Sequence, residues 1–92
     1  EEILPGAFNL KQNYPNPFNP VTEIKYEIPE EGFVSLKVFN ILGEEVAVLV
    51  NERQSQGNYT ATFSAGILPS GVYVYTLESG GYISVKKCIL MK

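Results

Sequence analysis

The chain is 92 residues long, 45 % hydrophobic and 18 % charged, with 7 basic and 10 acidic side chains and a formal net charge of −3. That balance fits one folded domain with a single core, and an acidic chain whose aromatics are not interleaved with a basic stripe is a poor partner for nucleic acid. No apolar run nears the roughly 20 residues of a membrane span, and with neither histidine nor aspartate the chain can build no Ser-His-Asp triad and no histidine-ligated metal site.

In chain order, residues 1–6 read as the end of a linker and residues 7–92 as the domain, with Ala7 to Leu10 a short first strand. The opening Glu1-Glu2-Ile3-Leu4-Pro5 lacks a basic region followed by an apolar stretch, so any amino-terminal export signal is expected on a longer precursor. Next comes Asn13-Tyr14-Pro15-Asn16-Pro17-Phe18-Asn19-Pro20, which is neither helix nor regular strand. Each proline sets φ near −65°, removes a donor and pushes the residue before it towards extended backbone. A stiff, ordered loop follows, with asparagines closing local bonds, Tyr14 and Phe18 pinned in the core, and a sheet edge covered beneath it.

From Val21 to Ile28 the apolar Ile24, Tyr26 and Ile28 alternate with Glu23, Lys25 and Glu27, the pattern of a half-buried strand. Glu30-Glu31-Gly32 is predicted to be a tight turn into a second such strand, Phe33 to Phe39, with Val34, Leu36 and Val38 inward. Asn40-Ile41-Leu42-Gly43 suits a hairpin whose glycine takes positive φ, and Glu45 to Val50 returns as a strand. Asn51 to Gly57 reads as a polar loop. Asn58 to Ser64 alternates again, with Tyr59, Ala61 and Phe63 on one side. Ala65 to Gly71 holds Pro69, Ser70 and Gly71 and cannot be a central strand. Val72 to Glu78 points Tyr73, Tyr75 and Leu77 one way, Ser79-Gly80-Gly81 turns the chain, and Tyr82 to Met91 is the last strand. No segment holds a helical period. About seven strands separated by turn signals predict an all-β fold, an immunoglobulin-like antiparallel sandwich, although tryptophan and an inter-sheet disulfide are missing.

Side chains with chemical potential are sparse. Glu30-Glu31 and Glu44-Glu45 fall at turns and Glu23, Glu27 and Glu78 on solvent faces, so the carboxylates read as solvation and not as an acid/base pair or a calcium cradle. No catalysis and no cofactor or metal are expected. Cys88, the sole cysteine, reads as a small core hydrophobe. Tyr59, Tyr73, Tyr75 and Tyr82 could make a sugar platform only on a common exposed face, and their phase favours the core, with Tyr82 the exception. Lys86, Lys87 and Lys92 are edge protection, a recognition patch, or both.

Leu10 to Pro20, with Thr22, Ile24, Tyr26, Ile28-Pro29, Val38-Phe39-Asn40-Ile41-Leu42-Gly43, Gly57-Asn58-Tyr59, Leu68-Pro69-Ser70-Gly71-Val72-Tyr73 and the Lys86 to Lys92 terminus, together resemble the type A C-terminal sorting domain of type IX (Por) secretion cargo from Bacteroidetes and their relatives. The resemblance implies an inert, folded secretion signal attached to an N-terminal cargo domain. It implies as partners the outer-membrane translocon and a sortase-like peptidase, and a route through the periplasm to the cell surface or medium. It assigns translocon recognition to Lys86, Lys87, Cys88, Ile89, Leu90, Met91 and Lys92. The structural motif it implies comprises Asn13, Tyr14, Pro15, Asn16, Pro17, Phe18, Asn19, Pro20, Gly43, Ser70, Gly71 and Tyr73. Related sandwiches in flagellar hook-capping proteins keep a structural-module reading open, and an accessory carbohydrate-binding domain is the other alternative.

Overall fold

The computed structural model describes residues 3–92. Glu1 and Glu2, which belong to the expected linker end, lie outside the described residues. Seven strands follow in order: β1 (Asn9–Leu10), β2 (Val21–Ile28), β3 (Gly32–Phe39), β4 (Glu45–Gln54), β5 (Gly57–Ser64), β6 (Gly71–Ser79) and β7 (Tyr82–Leu90). They form a three-stranded sheet of order β1-β2-β5 and a four-stranded sheet of order β4-β3-β6-β7, with every named pair antiparallel. The chain changes sheet between β2 and β3, β4 and β5, and β5 and β6, the crossovers of an immunoglobulin-like sandwich.

Period-two alternation decides which side chains meet between the layers. Ile24, Tyr26 and Ile28 of β2 and Ala61 and Phe63 of β5 face Val34, Leu36 and Val38 of β3, Tyr73, Tyr75 and Leu77 of β6, and Cys88 and Leu90 of β7. Each large apolar side chain removed from water this way contributes about 1.5–3 kcal/mol. At the β5–β6 crossover the Tyr73 hydroxyl donates to the Pro69 carbonyl (2.6 Å), tying the entry of β6 to the turn before it, as in the tyrosine corner of this architecture. At the β3–β4 hairpin, Asn40 Oδ1 accepts from the amides of Leu42 and Glu44, and Gly43 follows with φ +85°, a conformation that disfavours any Cβ.

Four expectations need correction. Glu30-Glu31-Gly32 does not join a hairpin: β2 pairs with β1 and β5, while β3 pairs with β4 and β6. Pro29 has no amide to continue a ladder, so the chain leaves β2 there and crosses to the other layer. Asn51 to Gln54 are not loop but the second half of β4, since their backbones pair with Gly32 to Ser35 while Asn51, Glu52 and Arg53 face water and the half-buried Gln54 accepts from the Tyr26 hydroxyl (2.7 Å). Alternation failed to signal this because β4 is bulged twice, with Leu49 and then Val46 left opposite no partner, which resets the phase each time. The first strand is shorter than Ala7 to Leu10, with only Asn9 and Leu10 in the ladder. Tyr14 is not in the core: the residue is 82 % exposed, and only its backbone, bridged to Glu23, serves the fold.

Candidate functional site

From Lys11 to Pro20 the chain runs as a strap from the edge of the three-stranded sheet to the edge of the four-stranded one. It leaves β1 still paired to β2, with the Lys11 amide on the Lys25 carbonyl (2.9 Å) and Tyr14 exchanging both backbone bonds with Glu23. It arrives at β7, where Phe18 donates to the Ile89 carbonyl (2.9 Å) and accepts from the Met91 amide (3.0 Å), a parallel bridge to Leu90. The peptide bonds before Pro15, Pro17 and Pro20 are all cis. Phe18 is the apolar anchor, buried and tilted against Phe63 with ring centroids 5.5 Å apart.

A buried polar knot holds the middle of the strap. The Asn13 amide donates to the Tyr75 hydroxyl (2.8 Å), which donates in turn to the Lys11 carbonyl (2.8 Å). Asn13 Nδ2 donates to the Thr22 hydroxyl (3.0 Å) and the Pro15 carbonyl (3.1 Å), and the Thr22 hydroxyl donates to that same carbonyl (2.8 Å). No buried side-chain polar atom among the described residues lacks a partner, so the knot stiffens the strap without an uncompensated desolvation cost. Burial pushes the Tyr75 hydroxyl from its ordinary 10.0 up to about 12, against the lowering effect of the Asn13 amide. Burial likewise pushes the Cys88 thiol from 9.0 up to about 11, so the neutral thiol persists in the core and a reactive thiolate is disfavoured.

The strap consumes the C-terminal half of the last strand's outer edge. Gln12 Nε2 donates to the Lys87 carbonyl (2.7 Å), Asn16 Oδ1 accepts from the Ile89 amide (2.9 Å), and Phe18 takes the next two backbone groups. Within the Lys86 to Lys92 segment, Cys88 and Leu90 point into the core. Lys87, Ile89 and Met91 are exposed, and Lys86 is partly buried. Lys92 is tied down as well: its amide donates to Ser70 Oγ (3.0 Å) and its ammonium to the Gly66 carbonyl (2.7 Å). Asn13, Pro15, Asn16, Phe18, Ser70 and the terminal segment are therefore one connected region. Gly43 sits apart at the β3–β4 hairpin, and Asn19 contributes no side-chain hydrogen bond to the region.

Sequence reasoning passed over Gln12, Thr22 and the Tyr75 hydroxyl as parts of this site. Thr22 carried a signal, because it continues the inward phase of Ile24, Tyr26 and Ile28, and a polar group on that phase requires a buried partner. The late tyrosines share no exposed platform: Tyr73 and Tyr75 are buried, Tyr59 stacks on Tyr26 (5.4 Å), and Tyr82 stacks on Phe8 (4.5 Å). Of the loop glutamates, Glu31 pairs with Arg53 (3.4 Å).

A family model described as "Secretion system C-terminal sorting domain" matches residues 12–91, from the first strap residue that touches β7 to the Met91 that closes the bridge. No curated protein and no solved structure gives a significant match.

Proposed function

Because the chain belongs to the type IX secretion system C-terminal sorting domain family, we propose that the strap-backed end of β7 is the surface its machinery reads. The family is non-catalytic: the domain is a secretion signal, and the cargo that carries it is recognised by the secretion machinery and exported across the outer membrane to the surface or medium. On our reading the cargo precedes residues 7–92, with residues 1–6 the end of its linker. The domain meets outer-membrane translocon components from the periplasm, and a sortase-like peptidase then acts on the exported protein.

One observation supports placing recognition at Lys86 to Lys92. The terminal segment is held from two sides, by β6 and by the strap, so Lys87, Ile89 and Met91 are presented in a constant arrangement beside Asn16. Cys88 and Leu90 act from beneath, as the core anchors that set this phase. A prearranged surface of alternating charged and apolar side chains binds without first losing conformational entropy. The lysine ammonium and the apolar tips offer charge and contact to a complementary partner.

A periplasmic reporter fused to residues 1–92 tests this in hosts with and without type IX machinery. Surface or medium delivery is expected only where the machinery is intact. A Lys87→Glu, Ile89→Ser double variant should fold normally by circular dichroism and lose delivery. Full delivery by that folded variant would move recognition elsewhere on the domain.

A further inference from the structure

Of the four sheet edges, two are finished along their length and a third along half of it. β1 is two residues long and its line is carried on by the strap. β7 is capped from the Lys87 carbonyl to the Met91 amide, whereas among the described residues no bond outside the β6 ladder reaches Ile83 and Val85 in its first half, which leads into Lys86 and Lys87. β4 is bulged twice and carries Glu45, Glu52 and Arg53. These are the devices by which sheet proteins avoid pairing edge to edge. β5 has none of them. It pairs with β2 without a register break over 8 residues, has no proline, and lies in a stretch from Gln54 to Leu77 that holds no charged side chain.

The direction of its unpaired groups follows from the ladder. Glu23 spends its backbone bonds on Tyr14, so antiparallel alternation aims Thr22, Ile24, Tyr26 and Ile28 at their β5 partners Phe63, Ala61, Tyr59 and Gly57. The N–H and C=O groups of Asn58, Thr60, Thr62 and Ser64 then point away from the sheet. Among the described residues no loop, strap or side-chain hydrogen bond reaches them.

We propose that β5 pairs with β5 of a second copy of this chain, antiparallel, with Ala61 facing Ala61 across a two-fold axis. This register uses the whole strand. It sets Thr60 against Thr62 and Asn58 against Ser64 as hydrogen-bonded pairs, and Tyr59 against Phe63 on the face that continues the core. Threonine pairs and aromatic pairs are favourable cross-strand neighbours, and the smallest side chain falls on the axis, at a non-hydrogen-bonded position where backbones come closest. A strand without charge pairs with its own copy free of like-charge repulsion, whereas it offers nothing for a charged partner to select. The product is an isologous dimer in which two three-stranded sheets become one continuous sheet.

Sedimentation equilibrium of the 92-residue domain should show the mass doubling as concentration rises. Thr60→Pro removes an outward-facing N–H and spares the bonds to β2, and Thr62→Lys adds a charge to the open edge; both should stay folded and lose the dimer. A mixture of Thr60→Cys and Thr62→Cys proteins should cross-link under mild oxidation far more than Thr60→Cys alone, with the native Cys88 buried and silent. A wild-type domain still monomeric at about 1 mM, the weak end of the affinity scale, overturns the proposal. So does a dimer that survives in both folded edge variants, or cross-linking with no preference for the Thr60–Thr62 pairing.

Discussion

β4 and β7 bound the same four-stranded sheet, and each is finished by a different means. The edge of β4 is spoiled from within: two extra residues break its ladder, and its own Glu45, Glu52 and Arg53 stand on it. The edge of β7 is regular, and its C-terminal half is sealed from outside by residues about seventy positions earlier in the chain, Gln12, Asn16 and Phe18. A locally spoiled edge keeps its protection whenever the strand exists. A strapped edge is protected only while the core holds the strap in place, so the surface carrying Lys87, Ile89 and Met91 depends on contacts remote from it.

Removing the strap's apolar anchor should break this contrast most completely. Phe18→Ala empties a site that is 2 % exposed and should cost roughly 3–5 kcal/mol in urea unfolding. Hydrogen exchange of the Ile89 and Met91 amides should rise before that of β4. Equal acceleration in β4 would mean that the two edges open together.

Asn13→Ala unties the polar knot without emptying the core. Thr22 and Pro15 lose a buried partner while the Tyr75 bond to the Asn13 amide survives, so the expected loss is about 1–3 kcal/mol. Thermal unfolding measures it, and a change below about 0.5 kcal/mol would show that water replaces the side chain at no cost.

Alkaline pH should loosen the same strap gradually. Burial raises the folded-state value of Cys88 from 9.0 to about 11 and of Tyr75 from 10.0 to about 12, so the native state retains protons that the unfolded chain releases. Their contribution is complete below pH about 9 and declines as pH rises through 9–11 for the thiol and 10–12 for the phenol. Urea midpoints across pH 8 to 12 should fall in those windows, and Tyr75→Phe should shrink the later one to the part that Tyr26 contributes, since burial raises that phenol as well.

Tyr14→Ala sets the floor. With the ring in solvent and the backbone bridge to Glu23 available to any residue except proline, stability should change by no more than about 0.5 kcal/mol. A larger loss would give the Tyr14 ring a packing role that its exposure denies.

Much of this was legible in one chain of residues. The alternation of β2, β3, β5 and β6 marked those strands and their inward faces, because a half-buried strand must repeat with period two. Tyr14 and Phe18 show where that reading ended. Both are aromatic, both precede or follow a proline or asparagine, and nothing local says that one ring enters the core while the other stays in water. Similarly, the apolar run of β4 hid its own length, since two bulges cancel the alternation that would have carried the strand through Asn51 to Gln54.

By itself the sequence determined an all-β domain with a rigid proline-asparagine segment and a lysine-bearing last strand, because composition and periodicity are properties of the chain alone. Only the tertiary structure decided that β2 and β3 belong to different sheets, that the rigid segment seals the end of β7, and that β5 is left open. Those outcomes depend on which backbone groups meet across long stretches of chain, and hydrogen-bond partners chosen by the packing of two layers leave no periodic trace in either partner.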